Sequence, residues 1–259
     1  MIAQNSFKRN VELKEIFMDS QHKEIIARLK FVINIHGILV LYGEPGSGKS
    51  TIIRIFNSQL DTSKYCICYI NNSNLTPRDL YSTILDSLSV IPYSLISKLK
   101  KQFYDVLSAI YNNHKKQVIV FIDNAQALPI HTINELRYLL NFKQDSMSPL
   151  TLILIGQSEL MATLRLRSFE PLFYRISSKY QLHALSQKQT SEYIIQQLKL
   201  SNLSMLFPKD ITAKIWGKSK GLPQIINTIC KHCLIDMEAN SLNLVDNSVL
   251  ERVLADLQY

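Results

Sequence analysis

Few residues in this chain bend freely or react. Seven glycines and eight prolines among 259 residues leave no room for Gly/Ser-rich or Pro-rich low-complexity tracts, and no segment repeats another. The four cysteines fall into a CxC pair, Cys66 and Cys68, and a CxxC pair, Cys230 and Cys233. Zinc binding is the reading such pairs invite. Yet the first pair sits in the β-rich YCICYI, the second in a helical pattern, and neither has a knuckle glycine, so both read as small buried hydrophobes. Long apolar runs are missing too. GILVLYG and LTLILIG are strand-length, far short of the about 20 residues a spanning helix needs. MIAQNSFKRN, at the start, lacks the apolar centre of a signal peptide. A cytoplasmic protein with no membrane partner is expected. Acidic residues are in deficit, 21 against 29 Lys+Arg, for a net charge of +8. Such an excess favours a polyanionic partner, either nucleic acid or an anionic membrane surface, and it is also what a merely lysine-rich surface displays.

What is present is alternation. ILVLYG (38–43), YCICYI (65–70), QVIVFID (117–123), LTLILIG (150–156) and SSKYQL (177–182) read as strands. Helices are expected at 49–60, from Pro77 behind a Thr76 cap with Asp79 at its positive end, at 94–113, and through INELRYLLNF, where Thr132 and Glu135 have the spacing of a capping box. Apolar strands alternating with helices indicate an α/β core whose mainly parallel sheet is covered on both faces. After Leu185 the pattern turns all-helical, with a Ser186/Gln189 capping box and helices near 187–200, 209–219, 222–239 and 246–257. The expected division is a nucleotide-binding α/β domain over 1–185 and a small all-α lid over 186–259, with Trp216 in the lid core.

GEPGSGKS, from Gly43 to Ser50, matches G-x-x-x-x-G-K-[ST] between an apolar strand and a helix. Glycine there lets successive backbone N–H groups wrap phosphates at a helix N-terminus. Gly43, Glu44, Pro45, Gly46, Ser47, Gly48, Lys49, Ser50 and Thr51 are therefore the candidate ATP-binding residues, with Lys49 on the β- and γ-phosphates and the Ser50 hydroxyl on Mg²⁺. Asp123, ending the third strand, suits the second Mg²⁺ contact, or else caps the turn that follows.

Over nearly its whole length the chain resembles the ExeA-like branch of the AAA+ ATPases. The residues carrying the likeness are LYGEPGSGKST, CYINNSNLTPRDLY, VIVFIDNAQAL, INELRYLLNF, LTLILIGQSEL and GLPQIINTICKHCLIDM. The resemblance implies a P-loop AAA+ core with a helical lid, and it extends to transposition helpers of the MuB and TnsC kind. It also implies roles. The catalytic glutamate's position falls on Asn124, whose amide can hydrogen-bond water but cannot accept its proton. The polar sensor falls on Gln157. The arginine that reaches a neighbouring subunit's phosphate falls on Arg175, with Arg165 and Arg167 nearby, and the lid's phosphate-sensing arginine falls on Gln224. Two amides at coupling positions lead to the expectation that ATP binding persists while hydrolysis is slow or absent.

The resemblance leaves two partner classes. One is a DNA-transposition regulator that assembles with itself, as ring or filament, on double-stranded DNA and recruits a transposase. The other is a secretion or pilus ATPase. A non-hydrolysing ATP-dependent adaptor is a third reading. The basic charge and the chain's end just after the lid favour the first. Candidate DNA contacts are Asn74, Thr76 and Arg78 on a loop and helix start, and Lys98, Lys100 and Lys101 on the next helix; a capped helix and a solvated lysine face would use the same residues. His22 lies either near the adenine or on a helix surface, and Arg137 reads as a helix-surface ion pair.

Overall fold

A computed structural model describes residue 7 and residues 12–72, 74–140, 148–200 and 206–258. They form two compact units. One comprises His22–Gly43 and Lys49–Leu182; the other gathers the described residues up to Gln21, the short stretch Glu44–Gly48, and the described residues from His183 onward.

The first unit is built on a five-stranded sheet of β1 (Ile38–Gly43), β2 (Tyr65–Ile70), β3 (Gln117–Ile122), β4 (Leu150–Gly156) and β5 (Ile176–Leu182), in the order β2-β3-β4-β1-β5. Every neighbouring pair is parallel. Alternate strand residues serve opposite faces, because successive side chains point to opposite sides. Val40, Cys68, Val118, Val120, Leu152 and Leu154 face a core shared with α3 (Pro77–Ser87), α4 (Ile96–His114), α5 (Ile130–Leu139) and α6 (Ser158–Leu164). Leu39, Leu41, Ile119, Phe121, Ile153 and Ile155 face a second core shared with α1 (Ser20–Asn34) and α2 (Lys49–Ser58). Both faces are thus covered, as the near-continuous apolar strands require. A four-residue helix, α7 (Glu170–Phe173), precedes β5. Where β3 begins, Gln117 is buried and its Nε2 donates to the Ile33 carbonyl (2.9 Å) and to Thr151 Oγ1 (2.6 Å).

Local signals set most helix starts. Thr76 and Asp79 form a reciprocal capping box on α3, with Pro77 in the first turn. The capping box expected of Thr132 and Glu135 does not form. α5 begins three residues earlier, at Ile130, behind Pro129. With the helix already under way, the buried Thr132 hydroxyl donates to the Leu75 carbonyl (2.5 Å), while Glu135 accepts from Tyr81 (2.7 Å) and pairs with Lys100. The end of that helical pattern, 141–142, lies outside the described residues.

The second unit packs α8 (Gln187–Lys199), α9 (Lys209–Ser219), α10 (Pro223–Ala239) and α11 (Asn247–Asp256) around Ile194, Leu198, Ile211, Ile215, Ile226, Ile229, Leu234 and Leu250. Ser186 and Gln189 cap α8 reciprocally, and Asp246 caps α11. Cys230 and Cys233 lie in this core, where burial pushes both thiols up, Cys233 to about 12. Trp216 is not in it. The ring is 37% exposed, and its Nε1–H donates to the Leu185 carbonyl (3.0 Å), which gives the indole a partner at the surface. N-terminal residues complete the core: Phe7 is buried in it, Phe17 meets Tyr193 edge-on, and Gln196 donates to the Glu15 carbonyl.

Candidate functional site

The loop between β1 and α2 has the backbone its glycines predict. Gly46 and Gly48 hold φ of +77° and +102°, in the left-handed region that only glycine enters without steric cost. Lys49, the first residue of α2, donates from Nζ to the Gly43 carbonyl (2.9 Å). One residue on, Ser50 Oγ donates to Asp123 Oδ2 (3.0 Å). The two residues assigned to Mg²⁺ from sequence, distant in the chain, are therefore together.

Asp123 sits where β3 ends, and its backbone N–H still donates to the Ile70 carbonyl (2.8 Å), which anchors the turn to β2. Its side chain is buried and accepts three hydrogen bonds: from Ser50, from the Tyr69 hydroxyl on the same Oδ2, and from the Asn124 N–H on Oδ1 (2.9 Å). Tyr69 was not singled out from the sequence. Burial, followed by its bond to Asp123 and the carboxylate's charge, holds the phenol well above its ordinary pKa, so it stays a donor.

Asn124 takes a left-handed conformation (φ 54°, ψ 36°), and its Nδ2 donates to Asn71 Oδ1 (3.2 Å). Asparagine enters this region more readily than glutamate. The exposed polar group beside the Asp123 carboxylate is thus an amide held by a second amide. Gln157, at the N-cap of α6, makes no side-chain cap there. Its backbone N–H donates instead to Gln126 Oε1 (3.1 Å), a residue the sequence reading passed over. Arg175 donates from Nη1 to the Arg137 carbonyl (2.9 Å) at the end of α5, while Arg165 and Arg167 are exposed. Arg137 is not engaged as the expected ion pair: its guanidinium lies over the Tyr138 ring, 4.5 Å from the centroid. His22 is buried rather than on a helix surface.

Within the helical unit, Gln224 meets the loop stretch Glu44–Gly48. Its N–H lies 3.3 Å from the Gly46 carbonyl, and a Cβ on Gly46 would come within 2.7 Å of the Gln224 side chain. The loop thus admits no side chain at Gly46 beside this glutamine. Glu44 accepts from Ser47 N–H through its carbonyl (3.2 Å).

The expected nucleic-acid residues divide. Asn74, Thr76, Arg78, Lys98 and Lys101 are exposed, whereas Lys100 pairs with Glu135 (2.5 Å) and lies over the Tyr81 ring. Between α3 and α4 the chain presents Ile91, Tyr93 and Leu95 to solvent. Gln102 holds that segment through the Ile91 carbonyl (2.9 Å) and Tyr93 N–H (3.0 Å), and Arg78 Nε donates to the Ser94 carbonyl (3.2 Å).

A hydroxyl and a carboxylate oxygen 3.0 Å apart are the donor set that a small hard cation takes from protein, with waters completing its shell. The residues present fit Mg²⁺ at Ser50 and Asp123, and the left-handed glycines with Lys49 fit a polyphosphate chain.

A family model described as "AAA domain" matches residues 34–164. General secretion pathway protein A of Aeromonas hydrophila is 32% identical over 238 residues, a match covering 90% of this chain and 43% of that protein, so the chain spans less than half of its relative's length. Among solved structures, Cdc6p from Pyrobaculum aerophilum matches with a TM-score of 0.72 at 12% identity, over 96% of this chain and 70% of that one. Drosophila ORC bound to DNA matches at 0.73 and 17% identity, over 100% of this chain and 65% of that one. At these identities the solved structures speak for the fold alone.

Proposed function

The chain belongs to the AAA domain family, and we propose that it is an ATP- and Mg²⁺-dependent switch whose bound state outlasts its turnover. One observation carries this reading: Ser50 donates to Asp123, which together fit a small hard cation, while the neighbouring position presents the amide of Asn124, tied to Asn71. Lys49 and the loop N–H groups would bind the phosphates, Ser50 and Asp123 would hold the ion, and Asn124 would orient water without taking its proton. When bound, Mg²⁺ and nucleotide would supply a polarised γ-phosphate there. Arg175 is the group offered to a neighbouring subunit's phosphate.

The partner we propose is duplex DNA, on which ATP-bound subunits assemble to recruit or stimulate a transposase. In support stand the charge of +8 and the exposed Arg78, Lys98 and Lys101 beside a fixed apolar segment. A secretion-type ATPase is the second reading, favoured by the 32% identity to General secretion pathway protein A.

ATP turnover with and without duplex DNA, on this chain and on Asn124→Glu, tests both. The glutamate variant is expected to gain on the order of 10²–10⁴-fold in turnover. It should also lose about 1 kcal/mol of stability to the left-handed backbone. DNA-stimulated turnover in the native chain overturns the slow-turnover reading. Absence of ATP-dependent DNA binding by either form overturns the DNA partner in favour of the secretion type.

A further inference from the structure

We propose that Tyr69 is a positioning residue for the metal-binding carboxylate, its hydroxyl fixing Asp123 in the orientation that Mg²⁺ requires. The proposal rests on the nucleotide-site reading above and deepens it.

Tyr69 lies one residue from the end of β2, on an outer strand of the sheet. It is in register with Phe121 on β3, and the two rings approach with centroids 6.4 Å apart. Because strand side chains alternate, Asp123 continues the face that Phe121 occupies, and this brings a tyrosine on β2 diagonally opposite it. The ring is 43% exposed, yet the hydroxyl is directed to Oδ2 of a carboxylate that is only 7% exposed.

Asp123 needs the bond more than Tyr69 does. Oδ1 is held by the neighbouring Asn124 N–H, a contact within its own turn. Among the described residues, Oδ2 is held by the hydroxyls of Ser50 and Tyr69. When Ser50 turns a lone pair to a cation, its hydrogen can still point to Asp123, but its geometry is then set by the ion. Of these two donors, Tyr69 is the one independent of the metal. It plays the part that outer-shell hydrogen bonds play around metal carboxylates elsewhere, and losing such a partner typically costs about 10–100-fold in metal affinity.

The test is Tyr69→Phe, which removes one oxygen from a half-exposed ring. Affinity for a fluorescent ATP analogue is measured across a Mg²⁺ titration and again in EDTA, with the thermal midpoint of the nucleotide-free protein recorded alongside. The variant is expected to bind nucleotide as the native chain does in EDTA and to keep its midpoint. The Mg²⁺ concentration for half-maximal enhancement should rise about 10–100-fold. Tyr69→Gln, which retains a donor, is expected to recover part of that shift. A Mg²⁺ titration unchanged in Tyr69→Phe overturns the proposal and leaves the nucleotide site standing. An equal loss in EDTA and in Mg²⁺ also overturns it, because the role is then structural. If the native chain binds no nucleotide, or Lys49→Ala binds as well as native, the nucleotide-site reading itself falls and takes this inference with it.

Discussion

The two ends of β3 carry buried polar side chains that are used in opposite ways. Gln117, where the strand begins, is 9% exposed, and Asp123, just past its end, is 7% exposed. Burial does not distinguish them; their partners do. Gln117 binds a backbone carbonyl on α1 and the hydroxyl of Thr151 on β4, so it stitches three elements together. Asp123 gathers two side-chain hydroxyls, which rotate and can also accept, onto one oxygen. The first arrangement is closed. The second leaves two hydroxyls that can turn to another partner, at the carboxyl ends of the strands, where open α/β sheets place ligands.

Three substitutions break or sharpen this contrast. Asp123→Ala is expected to abolish the Mg²⁺ enhancement of nucleotide affinity, a loss on the order of 100-fold, while shifting the nucleotide-free thermal midpoint by no more than about 2 °C. Titration and a thermal melt read the two quantities, and a midpoint that collapses would make Asp123 another stitch. Gln117→Ala is expected to do the reverse. It takes a donor from the Thr151 hydroxyl, while the Ile33 carbonyl keeps the His36 N–H, costing about 1 kcal/mol, or roughly 2–4 °C in a protein of this size, with nucleotide affinity unchanged. Arg252→Ala, in the helical unit, sets the scale of a surface pair. Arg252 holds the Asp236 carboxylate below its ordinary pKa by hydrogen bonding. A depressed folded pKa contributes stability at pH values above the ordinary carboxylate range. That contribution is lost as pH falls through the folded value. The substitution should therefore lower the thermal midpoint slightly at neutral pH and not at all in acid, as paired melts will show.

How much of this was legible in the sequence follows from the range of each interaction. Lys49, Ser50 and Asp123 are readable because the phosphate-loop spacing and a strand ending in aspartate are local patterns with a fixed spatial meaning. The same holds for the caps on α3 and α8. Tyr69 hides in YCICYI, where a tyrosine among apolar residues looks like core; its role depends on the register between β2 and β3, which no short window contains. Gln126 escaped for the same reason, since its partner is a backbone N–H beyond β4. The Thr132–Glu135 spacing misled because a proline upstream had already begun the helix, freeing both side chains for distant partners. Asn124 is half legible. Its chemical type was plain, but the left-handed turn that gives asparagine an advantage over glutamate there is a property of the backbone.

Phe7 lies in the same apolar core as Val249, Leu250 and Val253 of α11. During synthesis at about 5–20 residues per second, the first turns of the chain leave the ribosome well before the helices that will enclose this phenylalanine exist. The sheet unit can assemble in the interval, whereas the helical unit has to wait for α11. Phe7 therefore stays exposed until that helix has been made. That makes it a natural handle for a holding chaperone.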